Sequence, residues 1–309
     1  MFFFENYTWI NILSAIALAI GLYLLNEATR RSKVLSIIFY IFIPIVFTVF
    51  VWPVTGNGEA VSGNWFAWIK TYSALAGVIG FMILRYFPKF QKNRFMLFFP
   101  ALILGANIFE AVLRDFQVYR LQGVVQNGLY LQGGPWNILN GIAGILSILT
   151  ITGWVGIRVS NHRFKDMVWP DMQWFYIVAY CIWNLSYVYN CIPNRAFYAG
   201  VILLSLSLIA GLVTSKGVWL QHRAQILALF AMFSLTFPMY STTEYFSITS
   251  TLQVMPLWIL SILSIIANVG VLSFQLYKMK KAGKRPLGSP LYSDLGYTSV
   301  ILTSNQLSD

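Results

Sequence analysis

The sequence predicts an all-α fold: a polytopic bundle of about nine transmembrane helices, with the N-terminus outside and the C-terminus in the cytoplasm. Three observations lead there. Of the 309 residues, 58% are hydrophobic and only 10% are charged, against roughly 25% charged in a soluble domain. So few charges cannot coat a water-facing surface, which excludes a soluble enzyme, and the apolar content excludes bulk disorder. The apolar residues come in continuous runs that match the roughly 17–25 residues of a membrane-crossing helix, not in the short alternating segments of a β-barrel. Finally, lysines and arginines fall in bursts between these runs, on alternate sides.

In order, the runs are Trp9–Leu25, Val34–Val54, Trp65–Leu84, Phe95–Leu113, Pro135–Ile157, Trp169–Tyr189, Ala196–Val213, Val218–Tyr240 and Leu252–Tyr277. The first follows Met1-Phe-Phe-Phe-Glu5, which lacks the positive start of a signal peptide and is therefore read as retained. Asn6-Tyr-Thr8 matches the three-residue glycosylation acceptor on the expected outer side. The basic residues then set the orientation. Arg30, Arg31 and Lys33 follow the first run; Arg85, Lys89, Lys92 and Arg94 follow the third. Arg158, Arg163 and Lys165 follow the fifth, Lys216 and Arg223 the seventh, and Lys278, Lys280, Lys281, Lys284 and Arg285 the ninth. That places 17 of the 21 basic residues on one side, leaving Lys70, Arg114, Arg120 and Arg195 within spans or in opposite loops. Dropping one helix would invert this pattern downstream, so it supports the count as well as the direction.

Tryptophan agrees. Trp9, Trp52, Trp65, Trp68, Trp136, Trp154, Trp169, Trp174, Trp219 and Trp258 lie near run ends, as an interfacial belt requires, and only Trp183 is deep. Residues 1–281 thus read as one transmembrane domain and 282–309, with Gly, Pro and Ser at its start, as a flexible cytoplasmic tail. No internal repeat is visible, and nine helices do not divide into equal halves, which weighs against the common inverted-repeat transporter plan. The net charge of +11 goes into topology rather than one soluble basic face, so nucleic acid is not an expected partner. Cys181 and Cys191 are ten residues apart on one helix, about 15 Å, too far for a disulfide.

Polar groups inside lipid-spanning helices are expensive and mark function by default. Lys70 and Tyr72 fall in the outer part of the third span. Asn107 and Glu110 fall in the outer part of the fourth, with Arg114 and Asp115 at its mouth. Asn137 and Asn140 open the fifth span, and Asn184, Tyr187 and Asn190 occupy the outer half of the sixth beside Trp183. Tyr180, Asn184, Tyr187 and Cys191 share one stripe of that helix. These positions converge on one level, which predicts a water-accessible cavity open to the outside. Glu110 and Arg114 form an i,i+4 pair, and Lys70 is placed to pair with Glu110 across helices, lowering the cost of both charges. The bland readings are a Lys70 that snorkels to headgroups and asparagines that act as interhelical glue. Glu110 is too short to snorkel far. The expected ligand- or ion-binding set is Glu110, Lys70, Arg114, Asn107, Asn140, Asn184, Tyr187, Asn190 and Trp183.

A second cluster joins Asp171 and Gln173 to Gln221, His222, Arg223 and Gln225 at the cytoplasmic ends of the sixth and eighth spans. It reads either as solvated interfacial pairing, worth about 0–1 kcal/mol, or as an inner gate of Asp171, His222 and Arg223, which Asn26 and Glu27 join. Gly77 and Gly80, Gly141 and Gly144, and Gly153 and Gly156 are spaced for close helix approach, while Pro238 and Pro193 are placed to free carbonyls beside a cavity. The chain lacks a G-x-x-x-x-G-K-[ST] loop, an H-E-x-x-H pair, a G-x-S-x-G elbow and a Thr-Val-Gly-Tyr-Gly filter, so it offers no phosphate cradle, zinc-protease site, serine-hydrolase elbow or potassium filter. His162 and His222 stand apart, and the ninth span has no lysine for a retinal Schiff base. No cofactor or metal is expected.

Several stretches carry a family likeness: Ala101-Leu-Ile-Leu-Gly-Ala-Asn-Ile-Phe-Glu110 with Arg114-Asp-Phe-Gln117, Trp169-Pro-Asp171, Trp183-Asn-Leu-Ser-Tyr-Val-Tyr-Asn-Cys-Ile-Pro193 and Trp219-Leu-Gln-His-Arg-Ala-Gln225. In these the chain resembles a family of bacterial polytopic membrane proteins of unknown function, over nearly all of the membrane portion. The resemblance implies a bacterial cytoplasmic membrane and no mechanism. The leading functional reading is a transporter or channel for a small polar or charged solute, with Glu110 as ion or proton site, Lys70 and Arg114 tuning its charge, and Asn184, Tyr187 and Asn190 contacting solute. The alternatives are a receptor whose tail meets a cytoplasmic partner, and an intramembrane lipid-modifying enzyme, for which Glu110 and Asp115 face different ways on their helix. The bilayer and a small polar solute or ion are the expected partners, with a homo-oligomer possible.

Overall fold

The computed structural model describes residues 2–55, 65–126, 129–286 and 290–307. Among the described residues helix makes up 71% and the strands form three two-stranded pairs, so the fold is a helical bundle. Every apolar run is helical. Helix α1 is Trp9–Arg31, α2 Lys33–Phe50 with a π segment at Ile38–Phe42, and α3 Trp65–Tyr86. Helix α4 is Arg94–Val118, α5 Pro135–Leu149 and α6 Trp174–Cys191. Helix α7 is Phe197–Thr214, α8 Trp219–Thr236 and α9 Val254–Ala282.

Six of these, α1, α2, α3, α4, α7 and α9, are long and apolar enough to cross a membrane. Of the other three, α6 and α8 form the interior, and α5 keeps an exposed face with Ile142, Ile145 and Leu149. In both α6 and α8, 13 of 18 residues are buried, whereas α1 buries only Asn11, Ala15, Leu22, Asn26 and Thr29 of its 23. Apart from Leu22 the buried stripe of α1 is polar or small, and its exposed residues include Ile12, Leu13, Ile16, Ile20 and Leu24. That is the inverse of a soluble amphipathic helix, and it follows when the outer solvent is apolar.

Connections fall alternately at two ends of the bundle. At the N-terminal end Phe4 and Glu5 pair with Ser250 and Thr249, and Asn11 Nδ2 donates to Glu244 O. At the C-terminal end Arg30 reaches Asp166 and Asn305 reaches Lys216 O at 2.8 Å. The basic residues between α1 and α2, α3 and α4, α5 and α6, α7 and α8 and after α9 lie at the C-terminal end, whereas Arg120 and Arg195 lie in loops at the other end; Arg223, within α8, is taken up below.

Several boundaries differ from the expected ones, each for a local reason. Helix α5 stops at Leu149 and the chain turns through Gly153, whose φ of +61° suits glycine and whose missing Cβ leaves room for the Asp171 side chain. Helix α6 begins only at Trp174, after Pro170, and ends at Cys191 before Pro193. Helix α8 ends at Thr236, so Pro238 lies beyond it, and its carbonyl accepts Arg195 Nη2 at 2.8 Å. The tryptophan belt is also incomplete. Trp52, Trp169 and Trp219 are as fully buried as Trp183, while Trp9 and Trp174 are exposed.

Packing divides into two apolar cores. One is centred on α4, α5, α6 and α9 through residues such as Ile108, Val112, Ala143, Trp183 and Leu257, and also takes in Phe81 and Leu84 of α3, Leu204 of α7 and Trp219 and Leu220 of α8. The other joins α1, α2, α3, α7 and α8 through Leu22, Tyr40, Leu75, Leu203 and Ile226. Residues 290–307, expected to be a loose extension, fold back on the C-terminal end. There α10, Gly296–Ser304, buries Thr298, Ile301 and Leu302, and Ile301 packs with Val168 and Val218.

Candidate functional site

The expected polar residues separate into three groups. The first lies on the seam between the two cores, where α3 and α8 face α4 and α6. Lys70 on α3 pairs with Glu110 Oε2 on α4 at 3.3 Å, the two side chains being 23% and 22% exposed. It also donates to Asn107 Oδ1 at 3.1 Å. Asn107 sits one turn before Glu110 and donates Nδ2–H to Ile103 O of its own helix at 2.8 Å, which turns its oxygen toward the lysine. The second oxygen of Glu110, Oε1, is buried with no protein partner among the described residues.

From α6, Asn184 Oδ1 accepts a long hydrogen bond, 3.4 Å, from Arg223 Nη2 on α8. Tyr187, one turn further along α6, stacks on Trp183 with ring centroids 6.2 Å apart and an interplanar angle of 12°. Its hydroxyl is buried and unpartnered, within electrostatic reach of Glu110. Arg223 is likewise within electrostatic reach of Lys70. The two cations approach one level from opposite ends of the bundle, since Lys70 lies in the first turns of α3 and Arg223 in the first turns of the oppositely running α8. Arg223 therefore does not join Asp171 at the C-terminal end, as the sequence suggested. Arg114, at the edge of this group, donates to Gln117 Oε1 at 2.8 Å.

The second group is a carboxylate hub inside the first core. Asp115 is fully buried. It accepts from Asn137 Nδ2 at 3.0 Å, Asn140 Nδ2 at 2.8 Å and Cys191 Sγ at 3.4 Å. Asn140 Oδ1 accepts from Ser264 Oγ at 2.8 Å, and the Asn140 carbonyl accepts from Trp183 Nε1 at 3.1 Å. Asn190 lies nearby, 3.5 Å from Ser261 Oγ. Asn140 and Asn190 thus belong here rather than with Lys70 and Glu110. Gly144 allows this close approach, since a Cβ on it would meet Val112 Cγ2 at 2.4 Å and Trp183 Nε1 at 2.7 Å. Sequence reasoning left Asp115 at the mouth of a helix that in fact continues to Val118. The signal that could have found it was the i,i+3 spacing of Asn137 and Asn140.

The third group closes the C-terminal end. Asp166 is held by Arg30 Nη2 at 2.8 Å and Nε at 3.0 Å, with Arg85 Nη2 at 3.9 Å and Gln221 Nε2 at 3.1 Å. Burial pushes the Asp166 carboxyl up, but Arg30, Arg85 and Gln221 together hold it below its ordinary value of 3.8. His222 meets Asn26 Nδ2 through Nδ1 at 2.8 Å, and Glu27 pairs with Arg30 and Arg31. Asn26 thus meets His222, while Glu27 is taken up by Arg30 and Arg31. Asp171 is placed apart, accepting backbone N–H groups of Leu291 at 3.1 Å and Tyr292 at 2.7 Å. It anchors the C-terminal segment, and its expected pairing with Arg223 does not form. Asp166 was not legible, because a single acid in a basic loop carries no periodic signal. Among the described residues no three His, Cys, Asp or Glu side chains gather to hold a metal ion.

A model of a family of unknown function, DUF5692, matches residues 5–303. No curated protein and no solved structure matches the chain.

Proposed function

We propose that this chain, which belongs to the DUF5692 family of unknown function, is a multi-pass membrane transporter that binds a small polar or charged solute on the seam between its two helical cores. The observation that supports this reading is the largely buried Lys70–Glu110 pair across α3 and α4, with Arg223 of α8 within electrostatic range of Lys70. Tyr187 OH and Glu110 Oε1 add unpartnered polar atoms there. Charges inside an apolar bundle are costly, and packing alone would be better served by apolar side chains. A seam between two packed units is also where relative motion is easiest, which suits alternating access. In this reading all nine helices cross the membrane, the N-terminal end faces outside, and the basic C-terminal end faces the cytoplasm of a bacterial cell. Glu110 is the ion- or proton-responsive group, and Asn184 and Tyr187 contact solute. The C-terminal group of Asp166, His222 and Asn26 forms the closed inner side.

The test is uptake by the purified full chain in proteoliposomes, over a panel of labelled amino acids, organic acids and sugars. Glu110→Gln is expected to lower uptake by about tenfold or more, a loss of roughly 1.4 kcal/mol in the limiting step, and to flatten its pH dependence. Uptake equal to that of protein-free liposomes across the panel rejects transport. Wild-type flux that does not vary with pH rejects the role given to Glu110.

A further inference from the structure

The charge balance of the seam points to what its ligand carries. Lys70 and Glu110 neutralise each other, and Arg223 is left over. Its side chain is buried at 6% exposure, and its one hydrogen bond among the described residues is the long contact to the neutral Asn184 oxygen. The Nε–H and both Nη1–H donors have no partner. Other buried carboxylates are engaged elsewhere. Asp115 holds Asn137, Asn140 and Cys191, Asp166 holds Arg30 and Gln221, and Glu27 holds Arg30 and Arg31. A lysine in this position would escape the cost by losing its proton, but a guanidinium cannot. Buried Arg85 is answered more fully: its Nη2 donates to Arg30 O and to Phe164 O at 2.9 Å, and its Nε to Lys165 O at 3.0 Å, while Arg195 has the Pro238 carbonyl and the face of the Tyr240 ring.

We infer that Arg223 is the binding residue for an oxyanion, a carboxylate or phosphate group, taken up on the seam with Lys70 at electrostatic range and the Tyr187 hydroxyl as a neutral donor. The planar fork of the guanidinium matches two oxygens of such a group, and Asn184 fixes the fork by holding Nη2. The inference rests on the reading of the seam as a solute site and adds the sign and shape of the ligand. It also changes the place of Arg223, from a gate at the C-terminal end to the floor of the site. The oxyanion can be supplied by a soluble acid or by a phospholipid headgroup, and the two sources separate experimentally.

The experiment measures thermal unfolding of the full chain in phosphate-free, uncharged detergent, titrated with acetate, inorganic phosphate or acetamide, with chloride holding ionic strength constant. Acetate or phosphate is expected to raise the unfolding temperature saturably, by about 2–4 °C. Acetamide, of the same shape but uncharged, is expected to do nothing. Arg223→Lys should weaken half-saturation by about tenfold, because it keeps the charge but loses the fork, and Arg223→Gln should abolish the response. A response to added phosphatidylglycerol, with none to acetate or phosphate, assigns the oxyanion to a lipid headgroup. No saturable response to any of these, or an equal response to acetate and acetamide, overturns the inference. So does a folded Arg223→Gln protein that responds like wild type. If neither variant folds, the acetate–acetamide contrast in the wild type decides. Parallel flux measurements keep the two readings apart. Binding without flux removes the transporter and leaves the oxyanion site, whereas flux without oxyanion binding does the reverse.

Discussion

Lys70 and Glu110 are each mostly buried and lie 3.3 Å apart on neighbouring helices, so the consequence of losing one depends on the other. Removing the lysine strands a carboxylate whose Oε1 already lacks a partner, while removing both takes away two desolvated charges. Lys70→Met is therefore expected to destabilise the protein by about 1–3 kcal/mol, and Lys70→Met with Glu110→Gln by less than the single change. A double-mutant cycle on unfolding in detergent checks this, and a double variant weaker than the single one contradicts it. Asp115 differs, because its donors are all neutral. Asp115→Asn keeps the shape but turns one acceptor into a donor facing Asn137 or Asn140, leaving a buried clash of donors. Its expected cost is about 1–3 kcal/mol, read as a lowered unfolding temperature, and adding Asn140→Asp, which restores an acceptor opposite the new donor, should recover part of the loss.

At the level of elements, the close approach of α5 to α4 and α6 depends on Gly144, where a Cβ would sit 2.4 Å from Val112 Cγ2. Gly144→Ala must push apart well-packed helices at an expected cost of about 1–3 kcal/mol. Gly270 on α9 has nothing within 4 Å of a built Cβ, and Gly270→Ala is expected to be neutral or stabilising by up to about 1 kcal/mol. Equal destabilisation by both changes would mean that packing does not set the difference. The same contrast shows what the sequence could convey. Long apolar runs made all nine helices legible, because length and hydropathy are properties of one segment. The Lys70–Glu110 pair was legible because two ionisable residues in apolar runs have few ways to avoid cost. Which helices are interior was not legible, since α6 and α8 are marked only by polar residues whose partners lie on other helices. The place of Arg223 was lost for a related reason: an arginine near a helix start resembles topogenic charge until the reach of its side chain to Asn184 is seen. The ends of α5 and α8 were missed because apolar composition continues past turns set by Gly153 and Pro238.

For the whole molecule, the C-terminal end supplies a polar tie across the bundle. Asp166, in the loop between α5 and α6, grips Arg30 of α1 and Gln221 of α8, while Asp171 in the same loop receives the Leu291 and Tyr292 amides. Lys278 at the end of α9 pairs with Asp294 at 2.5 Å, which draws the C-terminal segment across this face. The ionic part of the tie is titratable. The native pKa of Asp166 lies below its ordinary value of 3.8, so the folded state binds the proton less readily than the unfolded one. The stability this contributes is fully present above about pH 4, the unfolded value, and is lost as pH falls through the lower native value. Asp171 is pushed up from its ordinary value by burial and also contributes to the acid profile, so the comparison with Asp166→Asn is what isolates the tie. The variant is expected to be less stable than wild type at neutral pH, with the gap closing on acidification below about pH 4. Unfolding temperatures of both proteins in detergent from pH 7 down to pH 3 measure it. A gap that stays constant over that range would mean that Asp166 acts through shape and hydrogen bonding alone, and that its charge adds nothing to the tie.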